Sequence, residues 1–587
     1  MASNSARSTS TLTLTQRVSF ARRGADFFGM SGASEFISAA LLFAVLIAVN
    51  LLSILHQGFD SDEPQHLHVI WAWTRGLVQY RDVFDNHMPL FHILFAPVFG
   101  LIGERATILY WMRFIVLPIY FITVWFTYRL GALLFSRRAG LWAIIALGFY
   151  AEYERVALQF RPDGLWAAIW LLCLTVLLRG SFSARRALVA GVLLGFCFGI
   201  SMKSAVLLIS LLVSAILTLL LANRQRAIES FAHLVRCASA FLVGTALVPA
   251  TIMIFFALKG VWRDFQYGVF DFNLLANRLY ERHPAWGSMI VFILALYIAR
   301  RVIRFSRDPD LVWWRAFVLI FCGTYLLLLK NFWMSITRQD LLPVYPLACV
   351  LGAGALLALS DALARHKSTI SQVFRVMPLP AFVVFIEILF LVGMQPLWKD
   401  GTREHTVLLR SVLALTNPDD YVLDCKGETV FRPRCSRRVL EMITRRAIAR
   451  GIFVDDVPQR CFETRTCVAA TILSERFSEG TRRFVEQTYL PVANNLRVAG
   501  VIMTPSSNDP GRFNFEVVIP ASYKIISRDN KVSGVLDGKP YDGARFLEPG
   551  VHTFESESTS NELFLLWSQA VDRGFTPFGR NTLSDSD

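Results

Sequence analysis

From Phe36 to Gln395 the chain alternates long apolar runs with short polar breaks, whereas from Trp398 to Asp587 charge, Asn, Gly and Pro are spread throughout and no such run recurs. A helix needs roughly 17–25 mainly apolar residues to cross a bilayer. By that length, and by where the basic breaks fall, the pattern predicts about eleven spanning helices. They lie near residues 36–56, 106–129, 139–152, 164–179, 187–202, 204–222, 232–257, 286–304, 311–329, 341–360 and 377–395. The expected fold class is an α-helical multi-pass membrane domain over residues 36–395, with a soluble C-terminal domain over 396–587. Residues 1–35, rich in Ser, Thr and Arg, are expected to form a disordered cytoplasmic tail.

The basic breaks orient this domain. Arg22–Arg23, Arg137–Arg138, Arg185–Arg186, Arg224 with Arg226, Arg300–Arg301 with Arg304, and Arg365 with Lys367 all sit between apolar runs. Cytoplasmic loops collect Lys and Arg. The formal net charge of +14 is therefore mostly topology, and a nucleic-acid partner, which needs its basic residues on one soluble face, is excluded. The first apolar run is longer than a signal-peptide core and has no small-residue cleavage site, so it reads as an uncleaved helix. An odd number of spans with the N-terminus inside places the C-terminal domain outside, in a plasma (inner) membrane. Composition agrees: 54% of residues are hydrophobic and 18% charged, with a mean hydropathy of +0.45.

Three segments then face outward: Gln57–Arg105, Ala151–Asp163 and Lys259–Trp286. In the first, Pro64–Gly76 is amphipathic and Pro89–Gly103 is apolar but short, as for helices lying in the interface plane. Counting the second of these as a span would put Arg137–Arg138 outside and break the alternation.

The first outward segment carries Asp60, Asp62 and Glu63 within four positions, just beyond the first span. Carboxylates that close to a membrane are costly unless solvated or used. The second ends Arg161-Pro162-Asp163 where the fourth span begins. There Asp163 has a purely structural explanation as a helix cap, but the two clusters share one expected membrane face. A carboxylate there can take the proton of an attacking hydroxyl or amine, and basic groups would hold a donor phosphate and stabilise the leaving group. Lys203, isolated between two spans, fits that need unless it merely snorkels to the interface. Arg161 and Arg338 are further candidates at the same level. His66, His68, His87 and His92 match no closed zinc pattern. No metal ligands are assigned, although hard divalent ions bind carboxylate-rich sites and a divalent ion stays open there. No glycine-rich nucleotide loop is present.

Asp62-Glu63-Pro64 after the first span resembles the acidic first-loop motif of GT-C membrane glycosyltransferases. The similarity is to the protein O-mannosyltransferase and lipid A aminoarabinose transferase branch. Also similar, and in the same order, are Tyr80-Arg81-Asp82, Phe84 to Leu90, Arg161-Pro162-Asp163, Gly195 to Lys203, and Arg338 to Pro346. The resemblance covers roughly residues 36–395. It implies a polyprenyl-phosphate-linked sugar donor, an inverting transfer to a glycan, lipid or protein acceptor, and an acid of the first loop as base. Carried over, Asp62 is the base, Glu63 its neighbour and Asp163 the second-loop acid. Asp60, His87, Arg161, Lys203 and Arg338 fall to substrate binding, with Lys203 and Arg161 on the donor phosphate. One departure is Asn86-His87-Met88-Pro89, where the aminoarabinose transferases carry a basic stretch; a neutral His87 binds phosphate poorly.

In the C-terminal domain Tyr421–Asp424 and Cys467–Leu473 read as strands and Arg437–Arg450 as a helix, an α/β lobe to about residue 510. Beyond it the alternation around Asp537-Gly538 signals a hairpin in a small β-sandwich, with Trp567 packed on it. Cys425, Cys435, Cys461 and Cys467 allow three pairings, the short separations favouring Cys425–Cys435 and Cys461–Cys467. The rival functions are a flippase for a lipid-linked sugar, which would show inverted repeats and midplane charges, and a polysaccharide polymerase or ligase using the same donor.

Overall fold

The computed structural model describes residues 22–578 apart from 180–182, 223–230, 281–284, 306–308, 334–335, 366–376, 395–396, 507–508, 529–531 and 558–561. Arg224, Arg226 and Lys367 of the basic clusters, and most of the expected tail, lie outside the described residues; residues 22–28 of that tail are helical. The chain divides into two compact units. One comprises residues up to 57 with 115–251 and 282–399; the other comprises 58–114, 252–281 and 400–587.

The first unit is a bundle of apolar helices, and the protein is an integral membrane protein. Among the described residues seven helices are long and apolar enough to span, or eight if the bent pair Ala151–Ala157 and Pro162–Leu178 is one span. The expected count of about eleven is not confirmed, because several runs form helices at or below the shortest length that crosses a bilayer. Arg137–Phe149 has 13 residues, Ala184–Ile200 has 17 and Leu379–Met394 has 16. At about 1.5 Å per residue, the shortest covers about 20 Å of a hydrocarbon core about 30 Å thick.

Small residues draw these helices together, as in membranes, where no hydrophobic gradient separates helix from lipid. A side chain at Gly191 or Gly195 would collide with the backbone at Phe241 or Thr245, and one at Gly244 with Leu188. Polar groups meet at the bundle's ends. At one end the buried Glu35 accepts from Arg138 Nε and Trp142 Nε1, each at 2.8 Å, while Arg138 Nη1 also reaches Asp361 at 2.8 Å. These residues flank the basic breaks at Arg137–Arg138 and Arg365.

The second unit joins the first-loop helices Asp62–Thr74 and Leu90–Ile102 to the C-terminal region. Its strands are β1 (Val422–Leu423), β2 (Val468–Ala470), β3 (Tyr489–Ala493), β4 (Leu496–Met503), β5 (Pro505–Ser506), β6 (Asp509–Val517), β7 (Ala521–Ile526), β8 (Gly534–Leu536), β9 (Lys539–Pro540), β10 (Arg545–Leu547), β11 (Gly550–Ser556) and β12 (Leu563–Trp567). One sheet runs β1-β2-β4-β12-β7-β10 with β3 on β4, and the other runs β5-β6-β11-β8-β9. The first sheet crosses the boundary expected near residue 510, since β12 lies between β4 and β7. Parallel β1 and β2 are joined through the helices Met442–Ala449 and Val457–Glu463. The Asp537-Gly538 turn forms as its sequence implies: both residues have positive φ, 50° and 74°, and β8 pairs with β9 across it.

Phe513 and Phe515 of β6, Phe554 of β11, Tyr523 and Ile525 of β7 and Leu565 of β12 share one core, with Trp567 partly buried against it. The four cysteines lie in this core but not in the expected pairs. The Cys435 and Cys461 thiols are 3.2 Å apart, and Cys425 donates to the Leu473 carbonyl at 3.2 Å. Proximity in sequence misleads here, because the helix Val457–Glu463 carries Cys461 back over the loop after β1.

Candidate active site

The first-loop acids sit at the start of the helix Asp62–Thr74, where negative charge complements the helix dipole. Asp60 holds the turn: its carboxylate accepts the Asp62 amide at 3.0 Å, and its own amide donates to Glu63 Oε1 at 2.9 Å. Glu63 points inward and is fully buried. Arg113 Nε donates to its Oε2 at 2.8 Å, and the guanidinium lies 4.3 Å over the Phe59 ring. Asp62 points the other way and keeps 22% of its side chain exposed. Its partner is the ammonium of Lys426, whose Nζ also lies 3.8 Å from Glu441 Oε2. Arg476 donates to Ser61 Oγ at 3.0 Å beside them.

Lys426 is presented by a tightly built loop after β1. Asp424 accepts from the amides of Gly427 and Thr429 at 3.0 and 3.1 Å, from the Thr429 hydroxyl at 2.7 Å, and from Arg434. Burial alone would raise the Asp424 carboxyl, but Arg434, His68 and Thr429 outweigh it and hold it below the usual range. Burial, aided by Asp424, pushes the neighbouring Glu428 up to about 7. Gly427 has φ 98°, and a Cβ there would come 2.6 Å from His68 Cβ on the first-loop helix. His68 in turn donates from Nδ1 to the Val430 carbonyl at 2.9 Å, and burial lowers its pKa to about 4.

His87 is partly exposed and sits 2.9 Å from Asp85 Oδ1. Asp85 is buried, accepts from Gln79 Nε2 at 2.7 Å, and lies 3.5 Å from His92 Nδ1. Burial would push its carboxyl up, but His87, His92 and the Asn86 amide bring it below its ordinary value. His92 is hydrogen-bonded to His66 at 3.0 Å. Even so, no three His, Cys, Asp or Glu side chains are arranged to hold a metal ion among the described residues.

A second polar cluster closes one end of the helical bundle. Asp163 lies in the first turn of the helix Pro162–Leu178, and Arg161 Nε donates to its Oδ2 at 3.3 Å. Lys203, in the turn between the helices Ala184–Ile200 and Ser204–Ala222, places Nζ 3.5 Å from Asp163 Oδ1 and against Asp340. Its ammonium also lies 5.5 Å from the Trp333 ring centre. Asp340 is wholly buried and caps its own short helix through the Thr337 amide and hydroxyl at 2.8 and 3.1 Å. A snorkelling lysine keeps its head in water, whereas Lys203 is enclosed by two carboxylates and an indole. Arg338 stands apart from this cluster, half exposed and paired with Glu152.

The structure therefore groups Asp60, Asp62 and Glu63 on one helix start, and Arg161, Asp163 and Lys203 at one bundle end. Sequence reasoning missed Asp340, two residues from the Arg338 it chose, and Lys426, Glu441 and Arg476 in the C-terminal region. Asp424-Cys425-Lys426-Gly427-Glu428, a dense charge run leaving a buried strand, was the available signal for Lys426.

Residues 86–250 match the family model described as dolichyl-phosphate-mannose-protein mannosyltransferase. No curated protein matches the chain. ArnT from Cupriavidus metallidurans in the apo state is similar in fold, with a TM-score of 0.52 and 14% identity, covering 78% of this chain and 97% of that one. The same protein bound to undecaprenyl phosphate gives 0.49 and 13% over 78% and 97%. The archaeal oligosaccharyltransferase AglB from Archaeoglobus fulgidus, in complex with an inhibitory peptide and a dolichol-phosphate, gives 0.42 and 11% over 86% and 74%. The resemblance to GT-C membrane glycosyltransferases thus holds as a family match over part of the membrane domain and as a shared fold.

Proposed function

We propose that this chain, with the fold of a GT-C membrane protein and a mannosyltransferase-family segment over residues 86–250, transfers a sugar from a polyprenyl-phosphate donor to an acceptor outside the plasma membrane. The carrying observation is the division of labour between adjacent first-loop acids. Glu63 is sequestered on Arg113, while Asp62 stays partly open at the helix start. A carboxylate that stays partly exposed can come within hydrogen-bond reach of an acceptor's proton, as a general base must.

In this reading Asp62 takes the proton of the acceptor hydroxyl or amine as that atom attacks the anomeric carbon. The bond from that carbon to the phosphate oxygen breaks, and polyprenyl phosphate leaves with the bond's electrons. Glu63 and Asp60 shape the turn that aims Asp62. Arg161 and Lys203 hold the donor phosphate, which takes over contacts now made by Asp163 and Asp340; Arg338 and His87 are further substrate contacts. The family description names a lipid-phosphate donor, which supports a phosphate as the ligand of the basic cluster. The placement of that cluster at helix ends, away from a bundle midplane, favours transfer over transport.

A charge-assisted contact from Lys203 to phosphate is worth about 1.5–3 kcal/mol. Lys203→Ala is therefore expected to weaken undecaprenyl phosphate binding about tenfold or more, measured by native mass spectrometry in nanodiscs, while Lys203→Arg retains part of it. Equal affinity in all three proteins would remove the basic cluster from donor binding. Orientation is tested separately. Val551, 76% exposed on β11, replaced by Cys should react with a membrane-impermeant maleimide in intact spheroplasts. Labelling only after lysis would reverse the topology.

A further inference from the structure

We propose that Lys426, from the C-terminal region, is a positioning residue for Asp62: its ammonium orients the Asp62 carboxylate and keeps it ionised. This deepens the reading of Asp62 as the base and rests on it.

The two residues are 364 positions apart, yet they form a direct ion pair within one compact unit. Lys426 is 5% exposed, so this is not the loose surface pair whose energy solvent and side-chain entropy cancel. Its backbone is fixed as well. The Lys426 amide donates to Glu428 Oε2 at 2.8 Å, the Asp424 carboxylate binds the loop from within, and Gly427 passes against His68 on the helix that carries Asp62. The ammonium is thus delivered to the first turn of that helix by a loop with no slack. Burial pulls the Lys426 ammonium's pKa down, but Asp62 and Glu441 outweigh burial and raise it above its ordinary value.

The charges around the pair define what Lys426 does. Asp62 faces Lys426, with Asp60 at its own amide, Glu441 across the ammonium, and Arg476 and His87 nearby. Glu441 Oε1 is buried without a hydrogen-bond partner among the described residues, and burial raises the Glu441 carboxyl above its ordinary value. Lys426 is the ammonium in contact between two carboxylates. Without it, Asp62 and Glu441 would share a partly dry site, and like charges there favour protonation of one of them. With it, Asp62 Oδ1 is held against a buried cation, and an opposite charge in contact favours the charged carboxylate. During transfer Lys426 keeps its proton and makes or breaks no covalent bond; the acceptor proton goes to Asp62.

The test is the pH dependence of kcat in nanodiscs with polyprenyl-phosphate mannose as donor and solubilised envelope as acceptor source. For Lys426→Met the acid limb should move up by about one pH unit, as expected when an opposite charge is removed from a carboxylate, with KM for the donor unchanged. Lys426→Arg should restore the limb. A uniform loss of kcat with the limb unmoved would mean a merely structural role and overturn the proposal. A measurement independent of turnover guards against misfolding: carbodiimide amidation of Asp62, mapped by mass spectrometry across pH, should shift in the same direction in Lys426→Gln. No shift would overturn the proposal as well. Failure of the underlying reading looks different, because Asp62→Asn would then retain turnover whatever Lys426 does.

Discussion

Asp62→Asn is expected to lower transfer about 10²–10⁴-fold, the range a general base supplies, without loss of folded protein. Asn is nearly isosteric and replaces a side chain that is partly exposed. It leaves Lys426 its contact with Glu441, so no ammonium is stranded. The measurement is kcat in nanodiscs together with the thermal midpoint of the same preparation. An unchanged midpoint with turnover lost assigns Asp62 to the chemistry; turnover within a few-fold of the parent removes it.

The opposite outcome is expected at Arg113, the buried partner of the next acid, Glu63. Arg113→Ala should unfold the first-loop region. Both members of the Arg113–Glu63 pair are almost completely buried, and removing one partner of such a pair costs about 3–5 kcal/mol because the other charge is left uncompensated. Arg113 also covers Phe59 and donates to the Gly58 carbonyl at 3.1 Å. A lower thermal midpoint and poor recovery from detergent should accompany the loss of activity. Glu63→Gln paired with Arg113→Met should recover part of the stability, since replacing both charges leaves no bare ion. A stable, inactive Arg113→Ala protein would instead place Glu63 in the chemistry.

The contrast between adjacent acids also shows how far the chain could be read. Each apolar run became a helix, and the first, read as 36–56, spans Ala33–His56. Hydropathy reports burial in lipid or in protein alike, however: where a span was expected near 139–152, the helix Arg137–Phe149 has 13 residues, ten of them buried in the protein. The bent pair at Pro162 shows the same limit: Pro at the start of a helix is visible in sequence, the 112° change of direction is not. Asp62 and Glu63 were both legible as candidates because three carboxylates beside a membrane demand a reason. Which of them faces inward depends on Arg113, fifty residues away. Arg338 and Asp340 make the complementary case. Arg338, chosen from the sequence, is half exposed on Glu152, while Asp340 two residues on, which meets Lys203, was not singled out. For Lys426 the charge run after β1 marked the segment, but no periodicity links a lysine 364 residues away to the first loop, so its pairing with Asp62 was not legible.

The central claim is that this chain consumes a lipid-phosphate-linked sugar through Asp62. It is tested most directly by incubating purified protein in nanodiscs with radiolabelled polyprenyl-phosphate mannose or aminoarabinose, or with a nucleotide sugar, and a solubilised envelope fraction. The account predicts release of polyprenyl phosphate with transfer of label from one of the lipid-linked donors, none from the nucleotide sugar, and loss of both signals in Asp62→Asn. Label moving from the nucleotide sugar, or lipid-donor turnover undiminished in Asp62→Asn, would contradict it.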